Sequence, residues 1–392
     1  RAREFIFSAD VIFDGIAGTG LKGALRAPLY SLVEAVNEAA GDEPAVPCRR
    51  GNSSVDVIAV DVPSGVSEGF REGMIAVRAD LTLTMGLPKT TLYNLAARPF
   101  CGRIERIALG FPPQLLSYPE GSGELVEEVR PRAEASRGYK GSRGHTAVFA
   151  GAVGTTGAAS LASRAAAAAG SGLVSLYCDE GLYPYFAGKA EGVMVKPLDL
   201  CDDALFSRHR AIVAGPGWGE GRAELFSRLL ESGLPGVADA DALRAANELS
   251  GGAEFSGRWV LTPHPGEFSL ISDTERDELF SDPVGAVAEA AQRLDAVVML
   301  KAHVSYIAAP DGRYAVVDGM NPAMGTGGSG DVLAGTIGGL LAGGEEAFSA
   351  ACRAAGAHQS AGRIAAERSG WFTAEELPPI IGRLLWCGGT DE

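Results

Sequence analysis

The chain has 392 residues, 46% of them hydrophobic and 21% charged, with 53 glycines, six cysteines and a net charge of −15. Apolar content of this size excludes a disordered chain, the glycines follow no collagen-like period, and no run of about 18 apolar residues is present to span a bilayer. The acidity argues against general nucleic-acid binding, which depends on Lys and Arg neutralising phosphate, and the length predicts two or three domains.

The chain opens Arg-Ala-Arg-Glu without Met and reaches a strand within a few residues, as if it began inside a domain. Strands are expected at Ala9–Phe13, Val55–Val60, Leu81–Met85 and Ile104–Leu109, with a helix over Pro28–Ala40 and a surface loop over Asp42–Ser54. The segment Phe111–Val129 carries Pro112, Pro113 and Pro119 among charges and reads as a linker. Beyond it, strands are expected at Thr146–Ala150, Leu173–Tyr177, Ala211–Ala214, Val237–Ala238, Trp259–Thr262 and Val297–Lys301. A hairpin should join Tyr306–Ala308 to Ala315–Val317 across Pro310-Asp311-Gly312. Helices fit Gly157–Ala169, Ala223–Ser232, Pro283–Leu294, Asp331–Ala342, Glu345–Arg368 and Ala374–Leu385. This alternation of β-branched runs with Ala/Leu-rich helices predicts an α/β fold on parallel sheets. The cysteines (Cys48, Cys101, Cys178, Cys201, Cys352, Cys387) are far apart, form no C-x-x-C pair and follow no secretory signal. They read as reduced thiols of a cytoplasmic protein without zinc.

Residues 1–120 hold 12 basic and 14 acidic side chains and residues 121–392 hold 22 and 35, so neither part is basic. A phosphorylated ligand must therefore be met mainly by backbone N–H groups and helix N-termini. The sequence Asn321-Pro322-Ala323-Met324-Gly325-Thr326-Gly327-Gly328-Ser329-Gly330-Asp331, leading into a helix, supplies such a site. Asp331 at the helix start reads either as a general base on a substrate hydroxyl or as a helix cap. The loop lacks the Gly-Lys-Ser/Thr ending of a Walker A motif and does not follow the first strand as a dinucleotide fingerprint does.

The loop resembles the anion-hole loop of the ribokinase-like superfamily. Ahead of it stand, in order, Lys140-Gly141, Thr156-Gly157-Ala158-Ala159, Gly215-Pro216-Gly217-Trp218-Gly219, Asp239-Ala240-Asp241-Ala242-Leu243, Thr262-Pro263-His264-Pro265-Gly266-Glu267 and Leu300-Lys301-Ala302-His303. Together these are similar to the ADP-dependent NAD(P)H-hydrate dehydratase family over roughly residues 136–386. The resemblance implies repair of (6S)-NADHX and (6S)-NADPHX: the C6 hydroxyl is phosphorylated from ADP or ATP with Mg2+, and phosphate is then eliminated. It makes Asp331 the base, places Ala158, Gly217 and His264 with Asp331 around the hydrated nicotinamide, and gives the nucleotide to Lys301, Ala302, His303, Val304, Ser305 and Gly330. The family usually has Gly where this chain has Ala302. His264, between two prolines, either aims at a ligand or caps a strand end. Asp239 and Asp241 either assist magnesium, fix the pocket or cap the next helix. His145, His209 and His358 have no liganding spacing and read as structural or solvated.

In the first part, Val11-Ile12-Phe13-Asp14-Gly15 and Val60-Asp61-Val62-Pro63-Ser64-Gly65 each run a strand into a carboxylate and a turn, which predicts a crevice at one sheet edge. With Ala79–Gly86 and Pro88-Lys89 they are similar to the NAD(P)H-hydrate epimerase domain. That resemblance implies potassium at Asp14 and Ser64, and substrate at Gly18, Thr19, Gly20, Leu21, Lys22, Gly23, Ala24 and Asp61, with Asp61 as acid/base. Both aspartates alternatively satisfy turn amides. The family's Asn-Asn-Gly-Gly-Asp-Gly loop is absent, so no epimerase activity is expected of this chain alone. The expected architecture is two three-layer α/β/α domains: an incomplete Rossmann-like domain over 1–117, a linker over 118–130 and a ribokinase-like domain over 131–392. A ribokinase-like kinase of a small alcohol or vitamin precursor is the alternative. The resemblance implies a homo-oligomer acting on small molecules, while the acidity and the lack of a long apolar run leave out nucleic acid and membrane as partners.

Overall fold

A computed structural model describes residues 2–41, 55–112, 123–129, 131, 139–189, 192–198, 206–250 and 252–386. The expected loop 42–54 and linker residues 118–122 and 130 lie outside them. The chain divides into two compact units, Arg1–Ser122 with Thr274–Ala286, and Gly123–Asp273 with Val287–Glu392.

In the first unit, α1 (Ala2–Phe7), β1 (Val11–Asp14), α2 (Leu29–Ala40), β2 (Asp56–Val60), β3 (Leu81–Met85) and β4 (Arg103–Ile107) form a four-stranded sheet in the order β1-β2-β3-β4. All three pairings are parallel. Side chains alternate across a strand. Ile12 and Val57 therefore enter one cluster with Val33 and Val36 of α2 and Ile6 of α1, while on the same strands Phe13 and Val60 stay exposed. Among the described residues, the helices α1 and α2 lie on that covered face.

The second unit carries a ten-stranded sheet. Its elements in chain order begin with β5 (Glu124–Leu125), β6 (His145–Phe149), α3 (Thr156–Ala168), β7 (Leu173–Cys178), α4 (Tyr183–Ala187), β8 (Met194–Pro197) and β9 (Ala211–Ala214). Next come α5 (Ala223–Glu231), β10 (Gly236–Ala238), α6 (Asp241–Asn247), β11 (Trp259–Leu261), α7 (Arg276–Ser281), which belongs to the first unit, and α8 (Pro283–Leu294). The series ends with β12 (Val297–Leu300), β13 (Val304–Ala308), β14 (Tyr314–Asp318), α9 (Ser329–Ala342), α10 (Ala347–Ser369) and α11 (Leu377–Trp386). The order is β5-β14-β13-β12-β11-β10-β9-β6-β7-β8. The seven strands from β8 to β12 pair in parallel, and β13 runs antiparallel to β12 and, in the expected hairpin, to β14. Glu124–Leu125, read from sequence as linker, instead pairs with β14 as an edge strand.

The parallel strands are buried on both faces because helices cover both, which is why Ala211–Ala214 and Val297–Leu300 are apolar at every position. The helix α9 is buried from Val332 to Ala342. Its glycines permit this: a Cβ at Gly335 would stand 2.1 Å from the Ala162 carbonyl of α3, and one at Gly338 would stand 2.1 Å from Val213 of β9. Side chains there would force α3 or the sheet away. The cysteines within the described residues, Cys101, Cys178 and Cys352, are buried thiols. Among the described residues no helix is long and apolar enough to cross a membrane.

Candidate functional site

The fixed helix α9 carries Asp331 at its N-terminal end. Gly328 is the N-cap, in the left-handed region at φ 93°, so Asp331 is the third helical residue rather than the cap. A Cβ at Gly328 would meet Leu161 at 2.4 Å, Ala374 at 3.2 Å and the Asp331 carboxylate at 3.8 Å, so the turn needs glycine for space as well as for dihedral. The Ser329 hydroxyl donates to the Met324 carbonyl at 3.0 Å and ties the two ends of the loop together. By helix geometry the first amides have no intrahelical acceptor and are available to an anion.

Burial pushes the Asp331 carboxyl up to about 7, the nearby Asp239 carboxylate adds to the rise, and the Lys301 ammonium opposes it. Lys301 follows β12 and Asp239 follows β10. The Lys301 Nζ donates to Asp239 Oδ1 at 2.5 Å, and the same oxygen accepts from the Thr262 hydroxyl at 2.8 Å. Asp239 is 2% exposed; a carboxylate so buried is tolerated because both groups satisfy it. A Cβ on Gly330 would lie 3.4 Å from Lys301 Nζ. The ammonium therefore stands beside the helix N-terminus.

Next to this cluster opens a cavity of about 520 Å3, lined by Lys301, Ala302, His303, Ser305, Gly330 and His264 among others. Val304 is fully buried within β13 and is not part of its wall. His264 is exposed and held by its own turn: Nδ1 accepts from the Gly266 N–H at 2.9 Å, and Glu267 accepts from the His264 N–H at 3.0 Å. Nδ1 is thus an acceptor, which leaves the proton of the neutral ring on Nε2.

Ala158 and Gly217 meet one another. Gly217 sits at φ 52°, its missing Cβ would lie 3.1 Å from Ala158 Cβ, and Thr155 Oγ1 donates to its carbonyl at 2.8 Å. Ala158 is one helical turn from Leu161 on α3, and Leu161 abuts Gly328, so this pair borders the Asp331 loop. Asp241 accepts from the Gly219 N–H at 2.8 Å and shapes the glycine turn. Among the described residues no group of three or more His, Cys, Asp or Glu side chains could form a metal cage.

In the first unit, Asp14 and Ser64 come together. The buried Asp14 carboxylate accepts from the Ser64 hydroxyl at 2.5 Å and the Ser64 N–H at 2.7 Å, while the hydroxyl also receives the Ala17 N–H at 2.8 Å and faces the Ala17 carbonyl at 3.1 Å. Asp61, at φ 71°, turns instead toward β3, where Oδ1 accepts from the Met85 N–H at 2.9 Å and from the Lys89 ammonium. Lys89 also donates to Thr84 and Met85. Gly18 to Ala24 follow Ala17 as an irregular, largely exposed segment with a turn from Gly18 to Leu21 and a bridge from Lys22 to Glu68. The two carboxylates share an edge of the sheet but have separate partners.

Sequence reasoning assigned no site role to His358 or Lys89. His358 lies mid-helix in α10, where no local pattern marks it, yet it is buried on the cavity wall. His145 and His209 lie against each other with tilted rings, centroids 4.0 Å apart, at the opposite ends of the strands.

The NAD(P)H-hydrate dehydratase family profile matches residues 146–383, and that of the YjeF-related protein N-terminus matches residues 2–91. The bifunctional NAD(P)H-hydrate repair enzyme Nnr of Coxiella burnetii is 33% identical over 376 residues, 93% of this chain and 73% of the relative. Its counterpart in Moorella thermoacetica is also 33% identical, over 94% of this chain and 71% of its own length. Among solved structures, the ADP/ATP-dependent NAD(P)H-hydrate dehydratase of Bacillus subtilis, co-crystallised with ATP/Mg2+, is 27% identical with a TM-score of 0.58. That match covers 66% of this chain and 94% of the other. A ribokinase-like superfamily protein of Enterococcus faecalis shares the fold, with a TM-score of 0.60 over 68% of this chain and 98% of its own.

Proposed function

The chain belongs to the NAD(P)H-hydrate dehydratase family and carries a YjeF-related unit ahead of it, and from that membership we infer that it restores NADH and NADPH from their S hydrates at the Asp331 site. The observation that carries this reading is the convergence of a carboxyl poised near 7, a lysine ammonium and a helix N-terminus beside one cavity. Hydroxide is a poor leaving group and phosphate a good one. Asp331, in its ionised form, takes the proton from the C6 hydroxyl as its oxygen bonds to phosphorus and the remaining nucleotide leaves. Lys301 and the Gly330 N–H face the charge that develops on the phosphoryl oxygens. The second step breaks the C6–O and C5–H bonds, releases phosphate and a proton, and restores the C5–C6 double bond. Lys301, Ala302, His303, Ser305 and Gly330 would line the nucleotide, with Val304 contributing backbone only, and Ala158, Gly217 and His264 would border the hydrated ring. Magnesium would be held chiefly by the nucleotide phosphates and would neutralise their charge.

Hydrated NADH with ADP or ATP and magnesium should regain the absorbance of the dihydronicotinamide and release one inorganic phosphate per turnover. A stable phosphorylated product would instead identify a kinase of a small alcohol, and no change in absorbance would reject the repair reading.

For the first unit, the paired carboxylate, hydroxyl and Ala17 carbonyl are hard oxygen donors that suit an alkali cation, and Asp14 with Ser64 would hold potassium there. Gly18 to Ala24 would offer backbone amides to a hydrated substrate, with Asp61 as acid/base. Potassium should raise the thermal midpoint of the first unit more than lithium does. Ser64→Ala should abolish the difference, and equal midpoints in the wild type would refute the cation site.

A further inference from the structure

The ring of His358 reaches from α10 to the helix that carries Asp331. Its Nε2 lies 2.8 Å from the Ser329 carbonyl oxygen. A carbonyl only accepts, so Nε2 carries the proton. The side chain is 5% exposed, and burial together with the Lys301 ammonium holds its pKa to about 4, against the pull of the Ser329 carbonyl. It is a neutral donor throughout the working range. The acceptor matters because the Ser329 C=O and the Gly330 N–H belong to one planar, trans peptide unit and point in opposite directions. A donor that pins the oxygen fixes the direction of the N–H, and hydrogen bonds in series polarise one another. On the far side of that peptide, Gly330 faces the Lys301 ammonium and the cavity.

We propose that His358 is a positioning residue for the nucleotide: by donating from Nε2 to the Ser329 carbonyl it fixes the Ser329–Gly330 peptide plane and so aims the Gly330 N–H at a phosphoryl oxygen. This rests on the nucleotide lying in the cavity beside Lys301. It assigns the histidine neither proton transfer nor substrate contact. Two further bonds hold the loop, from the Ser329 hydroxyl to the Met324 carbonyl and from the Ser329 N–H to the Thr326 carbonyl. The Ser329 carbonyl is also the first helical acceptor of α9, and His358 adds the donor that holds it from outside the helix, at the frayed first turn.

Two variants separate the hydrogen bond from the packing. His358→Phe keeps a ring and loses the donor, whereas His358→Gln places an uncharged N–H near the position of Nε2. The Phe variant should raise the KM for ADP or ATP roughly tenfold, the size of one lost hydrogen bond, with the KM for the hydrated dinucleotide unchanged. The Gln variant should stay within about twofold of wild type. Equal KM values in wild type and the Phe variant, or equal losses in Phe and Gln, would overturn the proposal. If the Phe variant does not fold, the Gln variant decides alone, a tenfold loss counting against it. A wild-type enzyme that binds no nucleotide would instead overturn the cavity assignment.

Discussion

Replacing Asp331 by Asn should cut turnover of hydrated NADPH by roughly 10²–10⁴-fold, the span that a positioned general base contributes, while making the folded chain more stable at neutral pH. The two effects share a cause. Burial and the Asp239 charge raise the carboxyl to about 7 against an ordinary 3.8. Between pH 4 and 7 the folded chain keeps a proton that the unfolded chain has released, so stability falls as pH rises through that window and stays lower above it. Asn carries no charge and escapes the cost. Its thermal midpoint should match wild type near pH 4 and exceed it above pH 7, by roughly 2–4 °C for each kcal/mol recovered. The same ionisation should give wild-type kcat/KM a rising limb centred near pH 7. A wild-type limb near pH 4, or an Asn variant that retains activity, would remove Asp331 from the role of base.

Lys301→Met should be the most damaging substitution for stability. It leaves the Asp239 carboxylate buried with the Thr262 hydroxyl as its remaining side-chain partner, and breaking a buried pair from one side costs about 3–5 kcal/mol. Adding Asp239→Asn to it should recover most of that loss, because the stranded charge is gone, yet nucleotide binding should stay weak for want of the ammonium. Asp239→Asn alone removes a repulsive neighbour of Asp331 and should move the rising limb of kcat/KM to lower pH. Urea midpoints for the two single variants and the double one, with nucleotide affinity on each, check all of this. A double variant no more stable than Lys301→Met would show that the ion pair is not what the fold depends on there.

The strands nearest the site were legible because a parallel sheet covered on both faces demands unbroken apolar runs, and Ala211–Ala214 matches its expected limits. Strands at the margin were not. Met194–Pro197 carries a lysine and a proline and lies at the sheet edge, and Glu124–Leu125 is two residues long. Neither leaves a periodic trace. The Gly-Asp loop was legible as a local pattern, since its chemistry sits in consecutive residues. The partner of Lys301 was not, because Asp239 lies 62 residues away and meets it through strand order alone. Lys89 and Asp61 show the same limit in the first unit, joined across 28 residues. His358 illustrates it on a helix: nothing in Ala-His-Gln-Ser says which face will reach Ser329.

Thr274–Ala286 return to the first unit after most of the second has been laid down. There Asn94 Nδ2 donates to the Ser281 carbonyl at 2.8 Å, and Leu279 of α7 is buried. A gene cut at residue 122 would therefore not yield two whole pieces. The upstream product would lack a helix of its own, and the downstream product would carry that helix with nothing to pack on. On the ribosome the first unit must wait until about residue 286 has emerged before it can close, so it is held open while Gly123–Asp273 of the second unit are made.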